Sequence, residues 1–230
     1  MSDSFRERKA LIQNRIQAAC KKSGRHPSEI NIIAVSKTKP AEAIYQAHLE
    51  GQISFGENYT QELLDKQEIL KDLKLEWHFI GHLQRRKARE IVGKVDTIHS
   101  LDSYQLAYEI EKLAKKAGKI QKCLLQVNLS SEDTKSGIHH EELSRLLTEI
   151  NNLAYVKITG LMTLPALFEN PEEVRPFFQF LRELRNLMNA SQVYKEPLTE
   201  LSMGMSHDFE MAIEEGATMV RIGTALFGER

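Results

Sequence analysis

Sulfur, net charge and long apolar runs are all scarce in this chain, and each scarcity removes a class of function. Two cysteines occur in 230 residues, Cys20 and Cys123. They are far apart and form no Cys-x-x-Cys pattern, so nothing requires an oxidising compartment. Cys123 stands in the apolar run Cys123-Leu124-Leu125-Gln126-Val127 and reads as a buried strand residue, while Cys20 follows two alanines in a helical pattern. The 31 basic and 32 acidic side chains nearly cancel, which leaves no global field to draw the protein to nucleic acid or a membrane surface. The basic cluster Arg85-Arg86-Lys87, followed by Arg89, is local and reads as a solvated helix start. No apolar stretch approaches bilayer-spanning length, and Met1-Ser2-Asp3-Ser4-Phe5-Arg6 lacks the apolar core of a signal peptide. The expected location is the cytoplasm. Internal repeats and low-complexity linkers are missing too, so residues 1–230 are expected to form a single domain, with 41% hydrophobic residues to build its core.

What is present is a regular alternation of strand and helix. Runs of strand length occur at Ile30–Ser36, Ile53–Phe55, Trp77–Ile80, Thr97–Ser100, Cys123–Asn128, Val156–Met162, Glu200–Met203 and Met219–Ile222. Helical stretches lie between them: Ala41–Leu49, Gln61–Leu70, Lys87–Val92, Ser103–Ala117, Glu141–Asn152, Glu172–Ala190 and Phe209–Glu215. Boundary residues agree with this reading. Pro40 suits the first turn of a helix, Asp102-Ser103 an N-cap, and Gly51 and Gly118 fall just past helical runs. Eight short apolar strands alternating with helices predict an α/β fold, a closed parallel (β/α)8 barrel of the TIM type. A doubly wound open sheet is the rival, but no Gly-x-Gly-x-x-Gly turn follows the first strand, where a dinucleotide-binding unit needs it. An extra N-terminal helix, Phe5–Lys22, carries Leu11, Ile12, Ile16 and Ala19 at helical spacing. The sequence reaches Arg230 soon after strand eight, and this extra helix is expected to pack where a full eighth helix would lie.

In a parallel barrel, chemistry gathers where strands end and turn into helices. Strand one ends at Ser36-Lys37, strand two at Gly56-Glu57-Asn58, strand three at Gly81-His82 and strand five at Asn128-Leu129-Ser130. Strand six ends at Met162-Thr163-Leu164-Pro165, strand seven at Met203-Gly204-Met205-Ser206 and strand eight at Arg221-Ile222-Gly223-Thr224. Lys37 is the most informative of these. An amine forms an imine only when unprotonated, and apolar surroundings favour that form. Taken alone, Lys37 also fits a solvated loop lysine; Lys39, directly before Pro40, is expected beyond the strand.

The loops after strands seven and eight are a recurrent phosphate site in this architecture. Here they carry Ser206, Gly223 and Thr224, with free N–H groups suited to a dianion. Ser206 also fits a plain helix N-cap. Arg221 lies within an apolar strand, where an unpaired charge is costly, so it should face a partner at the barrel mouth. A lysine amine and a phosphate cradle on one scaffold point to a Schiff-base cofactor that carries a phosphate, the first candidate being pyridoxal 5′-phosphate. An arginine facing its pyridine nitrogen would leave that nitrogen unprotonated and weaken the ring as an electron sink. His78 and His82 are four residues apart but straddle a strand and its loop, with no third ligand nearby, so no metal site is expected. His139-His140 reads as solvated loop.

Several ordered motifs together make the chain similar to a known family. They are Ala34-Val35-Ser36-Lys37-Thr38-Lys39-Pro40, Phe55-Gly56-Glu57-Asn58, Trp77-His78-Phe79-Ile80-Gly81-His82-Leu83-Gln84 continuing to Arg86-Lys87, Lys135-Ser136-Gly137, Gly160-Leu161-Met162, Ser202-Met203-Gly204-Met205-Ser206-His207-Asp208 and Val220-Arg221-Ile222-Gly223-Thr224. Over nearly its whole length the chain resembles the pyridoxal phosphate homeostasis proteins, single-domain relatives of the N-terminal barrel of alanine racemase. The resemblance implies that Lys37 holds pyridoxal phosphate as a Schiff base. It implies that Ser206, Gly223 and Thr224 hold the phosphate, that Arg221 faces the pyridine nitrogen, that Asn58 and His78 line the pocket, and that Ser202 and Met203 lie against the cofactor. It further implies a role in vitamin B6 and amino-acid homeostasis without catalytic residues or turnover.

The function expected is therefore a cofactor carrier or buffer that passes pyridoxal phosphate to apoenzymes. The absence of an exposed apolar stripe favours a monomer. A racemase-like pyridoxal enzyme is the main alternative, and it needs an acid–base residue on each face of the substrate. Lys37 could serve one face, yet Tyr45, Tyr59, Tyr104, Tyr108, Tyr155 and Tyr194 all fall in helical or loop stretches. A Schiff-base aldolase using Lys37 on a phosphosugar is the third reading, separated from the others by its lack of yellow colour.

Overall fold

The computed structural model describes residues 4–129, 136–166 and 168–228. Ser130 and Lys135 of the motifs above lie outside the described residues, as do Met1-Ser2-Asp3 and Glu229-Arg230. The elements run in the order α1 (Phe5–Ser23), β1 (Asn31–Val35), α2 (Ala41–Leu49), β2 (Ser54–Glu57), α3 (Thr60–Ile69), β3 (Glu76–Phe79), α4 (Ala88–Ile91), β4 (Thr97–Leu101), α5 (Tyr104–Ala117) and β5 (Gln121–Asn128). They continue with β6 (Ile138–His139), α6 (Leu143–Ile150), β7 (Val156–Met162), α7 (Arg175–Ala190), β8 (Glu200–Met205), α8 (Phe209–Glu214), β9 (Met219–Ile222) and α9 (Thr224–Phe227).

The sheet closes on itself, as expected for the barrel. β1 pairs in parallel with β2, Ala34 opposite Phe55, and on its other side with β9, Asn31 opposite Met219. The ring runs β1-β2-β3-β4-β5-β7-β8-β9, closed by the β4–β5 pairing with Thr97 opposite Lys122. β6 is an unexpected ninth strand. It pairs beside the end of β5, Val127 opposite Ile138, and two residues are too short to carry a readable period. β2 and β8 also extend past their expected ends, because Gly56 and Gly204 continue the strands where glycine reads as a turn. The expected helix Lys87–Val92 is reduced to α4, after a 3-10 turn over Arg85–Lys87.

Side chains alternate between the two faces of each strand. One phase, with Ala34, Phe55, Phe79, Leu125, Leu161, Leu201, Val220 and Ile222, packs against Ile44, Leu63, Ile110, Leu147, Leu181 and Ile213 of the helices. The other phase points into the barrel, where Ile33, Leu124, Met162 and Met219 form a separate small cluster. Each large apolar side chain buried in the outer layer contributes about 1.5–3 kcal/mol. That layer supplies most of the core, which leaves the upper barrel interior free to hold polar groups.

α1 is fixed by a capping box in which Ser4 N–H donates to Glu7 at 2.7 Å and Glu7 N–H donates to Ser4 Oγ at 3.3 Å. It packs against α8 and α9, the position expected from its sequence. Phe5 meets Phe227 with ring centroids 5.4 Å apart, Arg8 Nε donates to the Leu226 carbonyl at 2.6 Å, and the Arg15 guanidinium lies 4.4 Å from the Phe209 ring centroid. Among the described residues, no helix is long and apolar enough to cross a membrane.

Candidate functional site

Lys37 follows β1 directly and occupies a tight turn. Ser36 N–H donates to the Gly56 carbonyl at 3.1 Å, and Lys39 N–H donates back to the Ser36 carbonyl at 3.0 Å. Lys37 and Thr38 are thus the two central residues of a β-turn, with Thr38 at φ +64°. The Lys37 side chain is half-buried and has no hydrogen bond or ion pair with the described residues. Lys39 closes the turn, beyond the strand as expected, and its Nζ donates to the Gly228 carbonyl at 3.2 Å.

Below the mouth, four strands contribute a buried polar chain. Arg221 on β9 is 3% exposed. Its guanidinium donates to Ser202 Oγ at 2.6 Å and to the Thr163 carbonyl at 2.9 Å. Ser202 Oγ on β8 lies 3.0 Å from His99 Nδ1, and His99 Nε2 lies 2.9 Å from His78 Nδ1. One assignment gives every internal hydrogen an acceptor. Ser202 O–H donates to His99 Nδ1, and His99 Nε2–H donates to His78 Nδ1. His78 then carries its proton on Nε2. That atom is buried without a partner, as is Asn58 Oδ1. A donor and an acceptor are therefore left unpaired.

Burial governs the charge of this chain. It pushes His78 down to about 4, against weaker upward pulls from Asp96 and Glu76. His99 is held well below the ordinary histidine value, first by burial and then by the charges of His78 and Arg221. Burial also lowers Arg221 to about 10, opposed by Asp208, so the guanidinium stays charged at neutral pH beside two neutral imidazoles.

Across the mouth, β8 is irregular, its register on β9 shifting between Ser202 and Met205. Gly204 at this irregularity has φ +90°. The expected N-cap role of Ser206 is corrected by the structure. α8 has Asp208 at its N-cap position, and the Ser206 hydroxyl instead accepts from the Gly223 and Ala225 N–H groups at 3.3 and 3.4 Å. It therefore caps the short α9, which follows β9. Asp208 Oδ1 accepts from Met205 N–H at 2.6 Å and holds the loop that carries Ser206. Burial raises the Asp208 carboxyl above the usual value, and this hydrogen bond opposes the shift.

Of the expected site residues, the structure joins Ser202 and His78 to Arg221 in one chain and joins Ser206 to Gly223. Thr224 is exposed at the first position of α9. Met203 has the opposite strand phase to Ser202 and packs into the outer apolar core. Its side chain is part of that core, not of the polar chain. His82 lies outside the barrel interior, 3.8 Å from Asp102. His99 was not among the expected residues. It has the inward phase of β4, as His78 has of β3, and that shared phase is the signal that could have found it. A cleft of about 530 Å³ lined by Asn31, Ser54, Glu76, Glu200 and Thr218 opens at the opposite, N-terminal end of the strands. Both of its carboxylates already accept from hydroxyls, Glu76 from Ser54 and Glu200 from Thr218.

The profile of the family described as alanine racemase, N-terminal domain, matches residues 9–230. The chain is 51% identical over 224 residues to the pyridoxal phosphate homeostasis protein of Aquifex aeolicus, covering 97% of each sequence. It is 42% identical over 221 residues to the protein of the same name from Pseudomonas aeruginosa, covering 96% of this chain and 94% of the relative. Among solved structures, PipY of Synechococcus elongatus with PLP bound superposes with a TM-score of 0.82 at 39% identity, over 93% of this chain and all of that one. An alanine racemase of Clostridium difficile matches at a TM-score of 0.71 with 19% identity, over 94% of this chain and 55% of that one, a likeness of fold alone. The chain belongs to the alanine racemase N-terminal-domain family.

Proposed function

We propose that this protein binds pyridoxal 5′-phosphate as a Schiff base with Lys37 and acts in intracellular homeostasis of that cofactor, as a carrier or buffer. The observation that carries the proposal is a half-buried, unpaired lysine amine at the barrel mouth, with a serine-capped Gly-Thr turn after the last barrel strand. The names of the curated relatives and the PLP bound to PipY support the same reading.

The residues fit the cofactor. His78 Nε2–H and Asn58 Oδ1 are a buried donor and acceptor without protein partners. Each such group costs about 1–3 kcal/mol when left unpaired. They are suited to the polar substituents of a planar ring. When bound, the cofactor supplies an electrophilic aldehyde and an electron-accepting ring. Lys37 holds the aldehyde carbon. Ser206, Gly223 and Thr224 hold the phosphate, with Ser206 already gathering two N–H groups at that turn. Arg221 would face the pyridine nitrogen and, staying charged at neutral pH, would put no proton on it. Ser202 aligns Arg221, and Met203 supports the β8 backbone from the outer core.

The finer reading is a cytoplasmic monomer that delivers its cofactor to apoenzymes and has little turnover of its own. The exposed large apolar side chains, among them Leu11, Leu49, Ile69, Ile120 and Leu187, are scattered over the loop before β5 and helices α1, α2, α3 and α7, which favours the monomer.

The test is to mix the protein with pyridoxal phosphate, reduce with borohydride and map the adduct by mass spectrometry. The adduct is expected on Lys37, and Lys37→Ala should lose the yellow absorbance while unfolding at the same midpoint. An adduct on Lys39 or elsewhere would sink the assignment.

A further inference from the structure

A second lysine, Lys66 on α3, is 5% exposed and saturated. Its Nζ lies 2.7 Å from the Ser36 carbonyl, 2.6 Å from Glu57 Oε1 and 2.7 Å from Glu62 Oε1. Three N–H donors meet three acceptors. The same groups grip the turn that carries Lys37 from both sides. Ser36 Oγ donates to Glu57 Oε1 at 2.7 Å, and Thr38 N–H donates to Glu62 Oε1 at 2.5 Å. The cluster's bonds to the turn go to residues 36 and 38 and none to Lys37, while Glu57 Oε2 is buried without a partner.

The turn needs a grip. Lys37 and Thr38 are its central residues, and the second has φ +64°. This is where a β-turn of the type II class calls for glycine. Threonine, branched at Cβ, is costly there and persists only when its surroundings over-determine it. Glu62 takes up the N–H exposed by that conformation, and Lys66 ties Glu62 to the Ser36 carbonyl at the other end of the turn.

Strand phase explains why the arrangement favours one lysine. Ser36 shares the outward phase of Ala34, toward α3, and Lys37 has the inward phase of Ile33 and Val35. Condensation with an aldehyde requires a free amine. Its nitrogen adds to the carbonyl carbon, its two hydrogens leave with the carbonyl oxygen as one water, and a C=N bond remains. Lys66 has no free lone pair while its three hydrogen bonds stand.

We propose that Glu57, Lys66 and Glu62 form a positioning cluster for Lys37, holding the strained Ser36–Lys39 turn so that the Lys37 amine enters the barrel mouth while the neighbouring lysine is kept unreactive. The inference rests on the reading that Lys37 takes the aldehyde of pyridoxal phosphate. Glu62 is the member to test, because it is the most exposed of the three and its removal leaves the buried Glu57–Lys66 pair intact.

The experiment is a double-variant cycle on the full chain with Glu62→Ala, Thr38→Gly and both together. It follows the rate of Schiff-base absorbance on adding pyridoxal phosphate, with the unfolding midpoint as a check. Glu62→Ala is expected to slow formation about tenfold. Thr38→Gly alone should stay within about twofold of the unmutated protein, and the double variant should recover most of the loss, since glycine adopts the left-handed turn without strain. A merely structural role for Glu62 would not be rescued in this way. Reductive methylation of the cofactor-free protein provides a second readout. Lys37 should be labelled readily and Lys66 spared, with Lys66 labelling rising in Glu62→Ala. The inference is overturned if Glu62→Ala forms the Schiff base at the unmutated rate, if the double variant is no faster than Glu62→Ala, or if Lys66 is methylated as readily as Lys37. Absence of any Schiff base on Lys37 in the unmutated protein instead overturns the cofactor reading, and the positioning role falls with it.

Discussion

His78 and His99 stand where barrels of this class usually bury branched aliphatic side chains. Both rings must stay neutral there, and this has a consequence for acid stability. His78 has a folded-state value of about 4 against an ordinary value of 6.5, and His99 is lowered as well. Above about pH 6.5 neither state binds the proton and stability is full. As pH falls from there toward 4, the unfolded chain takes up protons that the folded chain refuses, so stability falls. The His78 shift alone corresponds to about 3 kcal/mol at the acid end of that window. His78→Gln should remove about one proton from the pH dependence of unfolding free energy between pH 6.5 and 4.5, measured by urea titration at several pH values. A slope identical to that of the unmutated protein would mean that His78 is already charged in the fold. At this scale Lys37 and Arg221 were legible, because a lone cation at the end of, or within, an apolar strand needs a reason. His99 and Lys66 were not. A histidine within a short strand and a lysine within a charged helix look solvated until the facing element is known.

The boundaries of β7 and β9 were readable because apolar residues dominate each, Val156, Ile158, Leu161 and Met162 in one and Met219, Val220 and Ile222 in the other, and Thr163 or Gly223 follows at once. β8 was not, because Gly204 reads as a turn and is instead an irregularity within the strand. Its conformation, at φ +90°, sets the exit of β8 toward Ser206. A Cβ added there would lie 2.5 Å from Ala212 Cβ and 3.0 Å from Phe209 Cα, so α8 presses directly against this backbone. Gly204→Ala must therefore displace α8 or straighten the strand, and either change moves Ser206 away from the Gly223 and Ala225 N–H groups. The expected cost is about 1–3 kcal/mol, the range for overpacking a close contact, read from chemical denaturation. The variant should also lose more affinity for pyridoxal phosphate than for pyridoxal, since Ser206 and Gly223 belong to the turn proposed to hold the phosphate. Equal loss for the two vitamers would place the phosphate elsewhere.

On the scale of the whole molecule, composition and alternation made the closed barrel legible, but a barrel of this kind serves both enzymes and binding proteins. The choice rests on how many proton-transfer groups the site presents. Racemisation needs an acid–base residue on each face of the bound substrate. Lys37 can act on one. Among the described tyrosines, Tyr194 is buried with its hydroxyl accepting from Ile158 N–H, and Tyr45, Tyr59 and Tyr108 are exposed. None donates to the Arg221–Ser202–His99–His78 chain. His78 and His99 are held neutral by burial and are committed to each other, which suits them to orient a ligand and not to exchange protons with it. On the proposed reading Arg221, which stays charged, would face the ring nitrogen and withhold the proton that would deepen the electron sink. Loss of one acid–base partner alone typically costs about 10²–10⁴-fold in rate. Solvent deuterium should therefore enter the α position of alanine and other amino acids far more slowly than with an authentic racemase assayed beside it. The loaded protein should instead reactivate a pyridoxal-dependent apoenzyme. Exchange at a rate approaching the racemase control would make this chain an enzyme, with a second proton-transfer group that the barrel residues described here do not supply.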